Sequence, residues 1–511
     1  MLNRLLFALA ATTLLGLASC ALKRDAGPEL GKLQKLGDVH ERYSSYNVEM
    51  VEVTGGRFWA PYDGPPDEVY RERPPIDLND PKLRHLARHL GPAFMRVSGT
   101  WANNTYLEAP GERLTAPPAG YKQILTRQQW QSVVAFAKAV DALLVTSFAV
   151  SGGTRGPDSV WTTEQAQRLA DLTREAGGSI YAAEFFNEPN VPGATMGMPE
   201  GYDAARYGEE FRIFRAWART TLPALLILGP GSIGEDSLLR NPAASVVARN
   251  MVRSEDMLKA NPDGVDALSY HFYGSVSQRC TAFKIGTAQK QEALQPSWLD
   301  RTIASYEYYA ALRDQYARGK PIWNTETAQA ACGGSPWAST FLDSFRFLNQ
   351  LGALAQRGVQ VVMHNTLAAS DYALIDQDSL NPRPNYWAAV LWRRIMGQTV
   401  LRAPVVGMAS GVRLYAHCLR DTAGGVGLLA LNTSEVAHTL VLGVENGKVW
   451  VMTGAPLDTR AVQINGQTPR LDDSGELRGL DGVPLRDGRV SLPAQSIAFV
   501  AAAAARNSAC R

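Results

Sequence analysis

Between about residue 45 and 395, short runs of β-branched and aromatic residues alternate with longer stretches whose apolar side chains recur every three or four positions. The short runs predict eight strands: Val48–Val53, Phe94–Val97, Leu143–Phe148, Ile180–Phe186, Leu225–Leu228, Leu268–Phe272, Ile322–Thr325 and Val359–Met363. Helices are predicted between them, among others over Thr126–Val140, Thr163–Glu175, Tyr202–Thr221, Arg301–Ala317 and Ser339–Arg357. Eight strand-then-helix units are what an α/β fold of the (β/α)8 TIM-barrel type needs. A doubly wound sheet would instead carry a Gly-rich phosphate turn after its first strand, which Val53–Phe58 is not.

After about residue 398 the helical period stops. Short strands at Val412–Cys418, Gly427–Leu431, Thr439–Val444, Lys448–Thr453, Val462–Ile464, Arg489–Ser491 and Ser496–Ala501, separated by Gly, Asp and Asn turns, predict a C-terminal β-sandwich. Leu30–Tyr43 carries a weak signal for an added edge strand. The expected organisation is a signal peptide over 1–20, a linker with that strand over 21–44, a catalytic barrel over 45–397 and the sandwich over 398–511.

The chain has 511 residues, 45% of them hydrophobic and 20% charged, with a net charge of +2, which excludes disorder and a polybasic nucleic-acid-binding surface. Met1–Arg4 is a short basic segment followed by an apolar run, Leu5–Leu17, too short to span a bilayer comfortably. It ends Leu17-Ala18-Ser19-Cys20, which resembles a bacterial lipobox with Cys20 as the lipidated residue; ordinary cleavage among Ser19, Cys20 and Ala21 is the alternative. Export is expected, to the outer membrane as a lipoprotein or to the periplasm or exterior. The remaining cysteines can pair in three ways. Sequence order and the domain division favour Cys280–Cys332 and Cys418–Cys510, against free buried thiols.

The strongest chemical signal is Ala183-Glu184-Phe185-Phe186-Asn187-Glu188-Pro189-Asn190, where a strand runs into a proline that stops the ladder and leaves Glu188 at its C-terminal end. Catalytic groups of barrels sit there. Phe185 and Phe186 offer apolar walls that would keep a carboxyl neutral, and Asn187 can donate to and accept from a sugar hydroxyl. Glu184, of the same parity, reads as a buried supporting group. Glu326 ends the seventh strand in Pro321-Ile322-Trp323-Asn324-Thr325-Glu326-Thr327. Alone, Glu188 reads as a turn carboxylate and Glu326 as a salt-bridged loop acid. Facing each other in one barrel mouth, they are the two carboxyls glycoside hydrolysis requires.

Strand four with Asn187-Glu188-Pro189 and strand seven with Glu326 resemble the retaining barrel glycosidases of clan A. Leu86–Thr100, Glu326–Pro336, Gly358–Asp376, Pro382–Trp387, Val412–Cys418, Val462–Gly466 and Ser491–Val500 resemble heparanase-like enzymes of glycoside hydrolase family 79, with their bacterial β-glucuronidases, in particular. The resemblance runs from about residue 45 to Cys510. It implies that Glu188 is the acid/base and Glu326 the nucleophile. It further implies that Asn187 holds the sugar 2-hydroxyl, and that His271 and Tyr273 match a His-x-Tyr whose hydroxyl touches the nucleophile. Gly333, Gly334 and Tyr372 match the groups that bind a uronic acid carboxylate, and Thr100 joins the substrate-binding residues. The sandwich bridge of the family agrees with Cys418–Cys510.

This sequence also departs from the family. The aspartate expected soon after the first strand is missing from Val53–Phe58, Ala331-Cys332 stands where heparanase has Tyr followed by Gly, and His364-Asn365 replaces an Arg-Gln pair. Apart from Arg57 and Arg155, few cations are expected in the barrel-mouth loops, which is modest for gripping a sulfated chain. Trp101, Trp323, Trp337 and Trp387 are candidates for stacking on sugar rings or for the core.

The expected activity is that of a retaining glycoside hydrolase cleaving β-glucuronidic linkages, endo or exo, in glycosaminoglycans or other glucuronides. The alternatives are a clan A barrel for another sugar, xylosidase- or arabinofuranosidase-like, and a non-catalytic glycan-binding lipoprotein. No cofactor or metal is implied. The expected partner is a glucuronic-acid-containing oligo- or polysaccharide, with no nucleic acid and a membrane only through the N-terminal lipid, bound by a monomer.

Overall fold

The computed structural model describes residues 29–65, 68–193, 198–240, 250–283, 286–403, 411–444 and 446–511; the segment expected to be a signal peptide, with Cys20, lies outside them. Eight parallel strands close into a barrel: β1 (Ser44–Glu49), β2 (Ala93–Ser98), β3 (Ala142–Thr146), β4 (Ile180–Glu184), β5 (Leu226–Ile233), β6 (Ala267–Tyr273), β7 (Ile322–Ala328) and β8 (Val361–His364). The helices Arg127–Ala139, Glu164–Glu175, Ala204–Thr221, Arg301–Tyr316 and Phe341–Ala355 lie where the 3.6-residue period puts them.

One strand is displaced from its predicted place. Val48–Val53 is rich in β-branched residues, yet Met50–Thr54 is helical, because Glu49 and Glu52 form a reciprocal capping box at its start. β1 therefore ends at Glu49, four residues before the predicted end.

The barrel interior is layered by strand parity. Phe94, Ala182, Ala267 and Trp323 belong to one apolar cluster. Two residues further along the same strands, Arg96, Glu184, Ser269 and Thr325 form a buried polar layer, in which Ser269 Oγ and Thr325 Oγ1 donate to Glu184 Oε1 at 2.8 and 2.7 Å. Above it stands the mouth.

The C-terminal part is an antiparallel sheet in the order Lys35–Asp38, Met396–Leu401, Val412–Leu419, Val426–Asn432, Ser496–Ala502, Lys448–Thr453, Gln463–Ile464. The strand near the N-terminus is thus the edge of this distant sheet. A smaller layer, His438–Val441 paired with Arg489–Leu492, covers it, and Leu428 and Val500 pack with Leu442, Val490 and Leu492 in a shared core. The helix after β7, Phe341–Ala355, is buried along its whole length. A Cβ on Gly352 would come within 2.3 Å of the Tyr415 ring of the sheet, so glycine is required for that contact. Tyr415 also donates to Asn349 at 2.7 Å, and Arg413 forms a two-pronged pair with Asp300. The sheet therefore braces the unit that carries Glu326. The disulfides are Cys280–Cys332 and Cys418–Cys510, the pairing favoured by sequence order. No described helix is long and apolar enough to cross a membrane.

Candidate active site

β4 ends at Glu184, and the turn that follows carries Asn187 and Glu188. Glu188 has φ +52°, a left-handed conformation that a glutamate adopts only where its surroundings impose it. Here Asn103 imposes it: the Asn187 N–H donates to Asn103 Oδ1 at 3.0 Å, and Asn103 Nδ2 donates to Asn187 O at 2.9 Å. Glu326 reaches the mouth from β7, where the β6–β7 register shifts between Tyr270/Asn324 and His271/Glu326 and re-aims the side chain.

The two glutamates face each other. Carboxylate oxygens of Glu188 and Glu326 and a ring nitrogen of His271 all lie within 4.8 Å of one another. Tyr273 donates its hydroxyl to Glu326 Oε1 at 2.6 Å, and Arg96 Nη1 donates to Glu326 Oε2 at 2.7 Å. With both oxygens held by donors, the orientation of the Glu326 carboxylate is set. His271 Nδ1 lies 3.0 Å from Glu188 Oε1 and Nε2 lies 3.3 Å from Arg96; a proton on Nδ1 satisfies both neighbours. The same three residues have the spacing of a cation site, but both Glu326 oxygens and His271 Nδ1 are already engaged.

Arg96 holds this arrangement together. Besides Glu326 it donates to Glu184 Oε2 at 3.0 and 2.8 Å and to Asn187 Oδ1 at 2.8 Å, which leaves the Asn187 amide N–H groups to a ligand. Burial alone would raise Glu184, but the Arg96 charge and the hydrogen bond from Thr325 outweigh it and hold that carboxyl well below the usual range. Burial pushes Glu188 up and the charge of Glu326 pushes it further, against the His271 hydrogen bond. Glu188 is therefore biased toward its protonated form, as an acid catalyst requires.

Sequence reasoning passed over three of these residues. Arg96 is a lone charge inside an apolar strand, and that was its signal. Asn103 sits in a glycosylation sequon but is fully buried. Glu49 is the acid at the end of the first strand: β1 stops there, its Oε1 accepts from Asn365 Nδ2 at 2.9 Å, and among the described residues its buried Oε2 has no partner. Burial and the Glu326 charge raise Glu49 well above the usual carboxyl range.

The carboxylates open into a cavity of about 620 Å³, also lined by Glu49, Thr100, Tyr273, Cys332 and Tyr372. Cys332, Gly333 and Gly334 have φ of +63°, +81° and +86°. The Gly334 N–H donates to Ala330 O at 3.1 Å, so it is turned into its own loop, whereas among the described residues the Gly333 N–H donates to no backbone carbonyl. A Cβ on Gly333 would meet Trp59 Cβ at 2.7 Å. Trp59, stacked on Tyr70 at 4.7 Å, and Trp101 form an aromatic wall on the same cavity. Trp323, Trp337 and Trp387 are buried. Arg57 lies over the Tyr70 ring, and Arg155 is bound to Glu210. Among the described residues Arg301 is the one basic side chain lining the cavity, and it donates to the carbonyls of Gly274 and Ser297.

No protein-family model matches the chain. Mouse (Mus musculus) heparanase is 28% identical over 499 residues, spanning 85% of this chain and 88% of that protein. A hyaluronoglucuronidase of Hirudo nipponia is 23% identical over 438 residues, 78% of this chain and 84% of that one. A 4-O-α-L-rhamnosyl-β-D-glucuronidase from Fusarium oxysporum 12S superposes with a TM-score of 0.64 at 14% identity over 93% of this chain and 98% of its own, a likeness of fold. With its barrel, its facing carboxylates and these relatives, the chain is a glycoside hydrolase similar in sequence to heparanase.

Proposed function

We propose that the protein is a retaining β-glucuronidase acting on glucuronic-acid-containing oligo- or polysaccharides. The observation that carries this reading is the approach of Glu188 and Glu326 to within 4.8 Å. Retaining glycosidases hold their carboxyls about 5–5.5 Å apart, whereas inverting ones leave about 6.5–9.5 Å for a water. Glu188 protonates the glycosidic oxygen as Glu326 attacks the anomeric carbon, and the C–O bond to the leaving group breaks. Esterification removes the charge of Glu326, the acidity of Glu188 as a group recovers, and Glu188 takes a proton from the water that hydrolyses the glycosyl enzyme. The amide of Asn187 is placed to hold the 2-hydroxyl.

The uronate reading rests on the Tyr372 hydroxyl, which lines the cavity with Glu326, and on the Gly333 N–H in the loop beside it, as donors for a carboxylate. With the Gly334 N–H turned inward, Gly333 carries the backbone share. Among the described residues the cavity is poor in cations, which favours an unsulfated or sparsely sulfated chain. The names borne by the relatives, a heparanase and two glucuronidases, point to the same sugar. Leu17–Cys20 supports export with a lipid anchor on Cys20.

Aryl β-glycosides differing only in the sugar test this reading. The account expects the β-glucuronide to exceed the β-xyloside and α-arabinofuranoside in kcat/KM by roughly 100-fold or more, as expected where a site is built for a polar group the others lack. Equal or better turnover of either pentoside would contradict it.

A further inference from the structure

We infer that Arg279, a residue outside the cavity, is the positioning residue that sets the uronate subsite by clamping four barrel-mouth loops together. This rests on the uronate reading above. Arg279 follows β6 and is almost wholly buried, with its side chain 5% exposed. Its Nη1 donates to Gly334 O at 3.0 Å and to Cys332 O at 3.4 Å in the loop after β7. Its Nη2 donates to Asp371 Oδ2 at 2.6 Å, beside Tyr372 in the loop after β8, and to Ala60 O, beside Trp59. The guanidinium lies 3.7 Å over the Tyr62 ring. One planar fork thus joins the loops that follow β1, β6, β7 and β8.

The groups it gathers are those assigned to the carboxylate. The Asp371 N–H donates to Gly333 O at 3.2 Å, which couples the Tyr372 loop to the glycine loop after β7. The neighbouring Cys280 is bonded to Cys332, and Ser277 Oγ donates to Cys332 O at 3.0 Å, so the β6 and β7 loops are joined covalently where Arg279 begins. Three successive residues with positive φ have no regular structure to hold them, and two of them are glycines. Their orientation must come from partners, and the carbonyls of the first and third are held by Arg279. A lysine offers a point charge and cannot span these acceptors.

The test uses the full-length enzyme with Arg279→Met, Arg279→Lys and Asp371→Asn, assayed on an aryl β-glucuronide and the aryl β-glucoside that lacks the carboxylate. Arg279→Met is expected to raise KM for the glucuronide about 10- to 100-fold, the worth of one or two lost bonds to a charged group, with little change in kcat. The kcat/KM for the glucoside should stay put, so the preference between the two sugars collapses. Arg279→Lys should recover part of it, and Asp371→Asn, which keeps the arginine, should shift the ratio the same way. Parallel losses on both sugars, or an unchanged ratio in Arg279→Met and Asp371→Asn, overturn the assignment and leave the uronate reading standing. A wild type that does not prefer the glucuronide overturns both.

Discussion

Glu326→Ala is expected to lower kcat/KM on an aryl β-glucuronide by about 10⁴-fold or more, because without the nucleophile the two-step route is closed. The fold should survive. Alanine at this position leaves Arg96 paired with Glu184 and Asn187, and leaves Tyr273 within 2.9 Å of Asn365 Nδ2. Azide can then enter the space vacated by the carboxylate and attack the anomeric carbon from that side, giving the α-glucuronyl azide and restoring turnover. Near-wild-type rate in a folded variant would remove Glu326 from the mechanism.

Glu188→Ala is expected to separate substrates by leaving group. A general acid contributes about 10²–10⁴-fold where the leaving oxygen needs a proton, so alkyl glucuronides and polymer should lose that much. A dinitrophenyl glucuronide, whose leaving group departs unprotonated, should lose far less in its first step. The alkaline limb of kcat/KM should vanish with the residue. Burial and the Glu326 charge raise the Glu188 carboxyl, so this limb belongs to loss of its proton and lies above the ordinary carboxyl range. Equal losses on both kinds of substrate, with the limb intact, would assign the proton to another group.

Much of this architecture was legible from periodicity. The eightfold alternation, the places of Glu188 and Glu326 at the ends of strands four and seven, and the disulfide pairing all follow local pattern and chain order. The failures share one cause, in that they depend on partners far away in the chain. Arg96 meets Glu184 and Glu326, 88 and 230 residues on, and nothing beside it in the sequence announces that. Met50–Thr54 is rich in β-branched residues like a strand, but the Glu49–Glu52 capping box makes it a helix, and the misplaced boundary hid Glu49, the acid at that rim. Gly333 and Gly334 look equivalent as a pair. Only the Ala330 carbonyl, which accepts from Gly334, distinguishes their amides. Arg279 carries no local pattern at all; its meaning lies in four loops converging on one guanidinium.

The central claim is that Glu326 becomes bonded to the sugar while Glu188 handles protons. A 2-deoxy-2-fluoro-β-glucuronyl fluoride keeps a good leaving group while slowing release of the glycosyl enzyme, so the intermediate accumulates and can be located by peptide mass mapping. The account predicts one sugar per chain, attached through an ester at Glu326. A label at Glu188, or none while the compound is hydrolysed with inversion at the anomeric carbon, would contradict it.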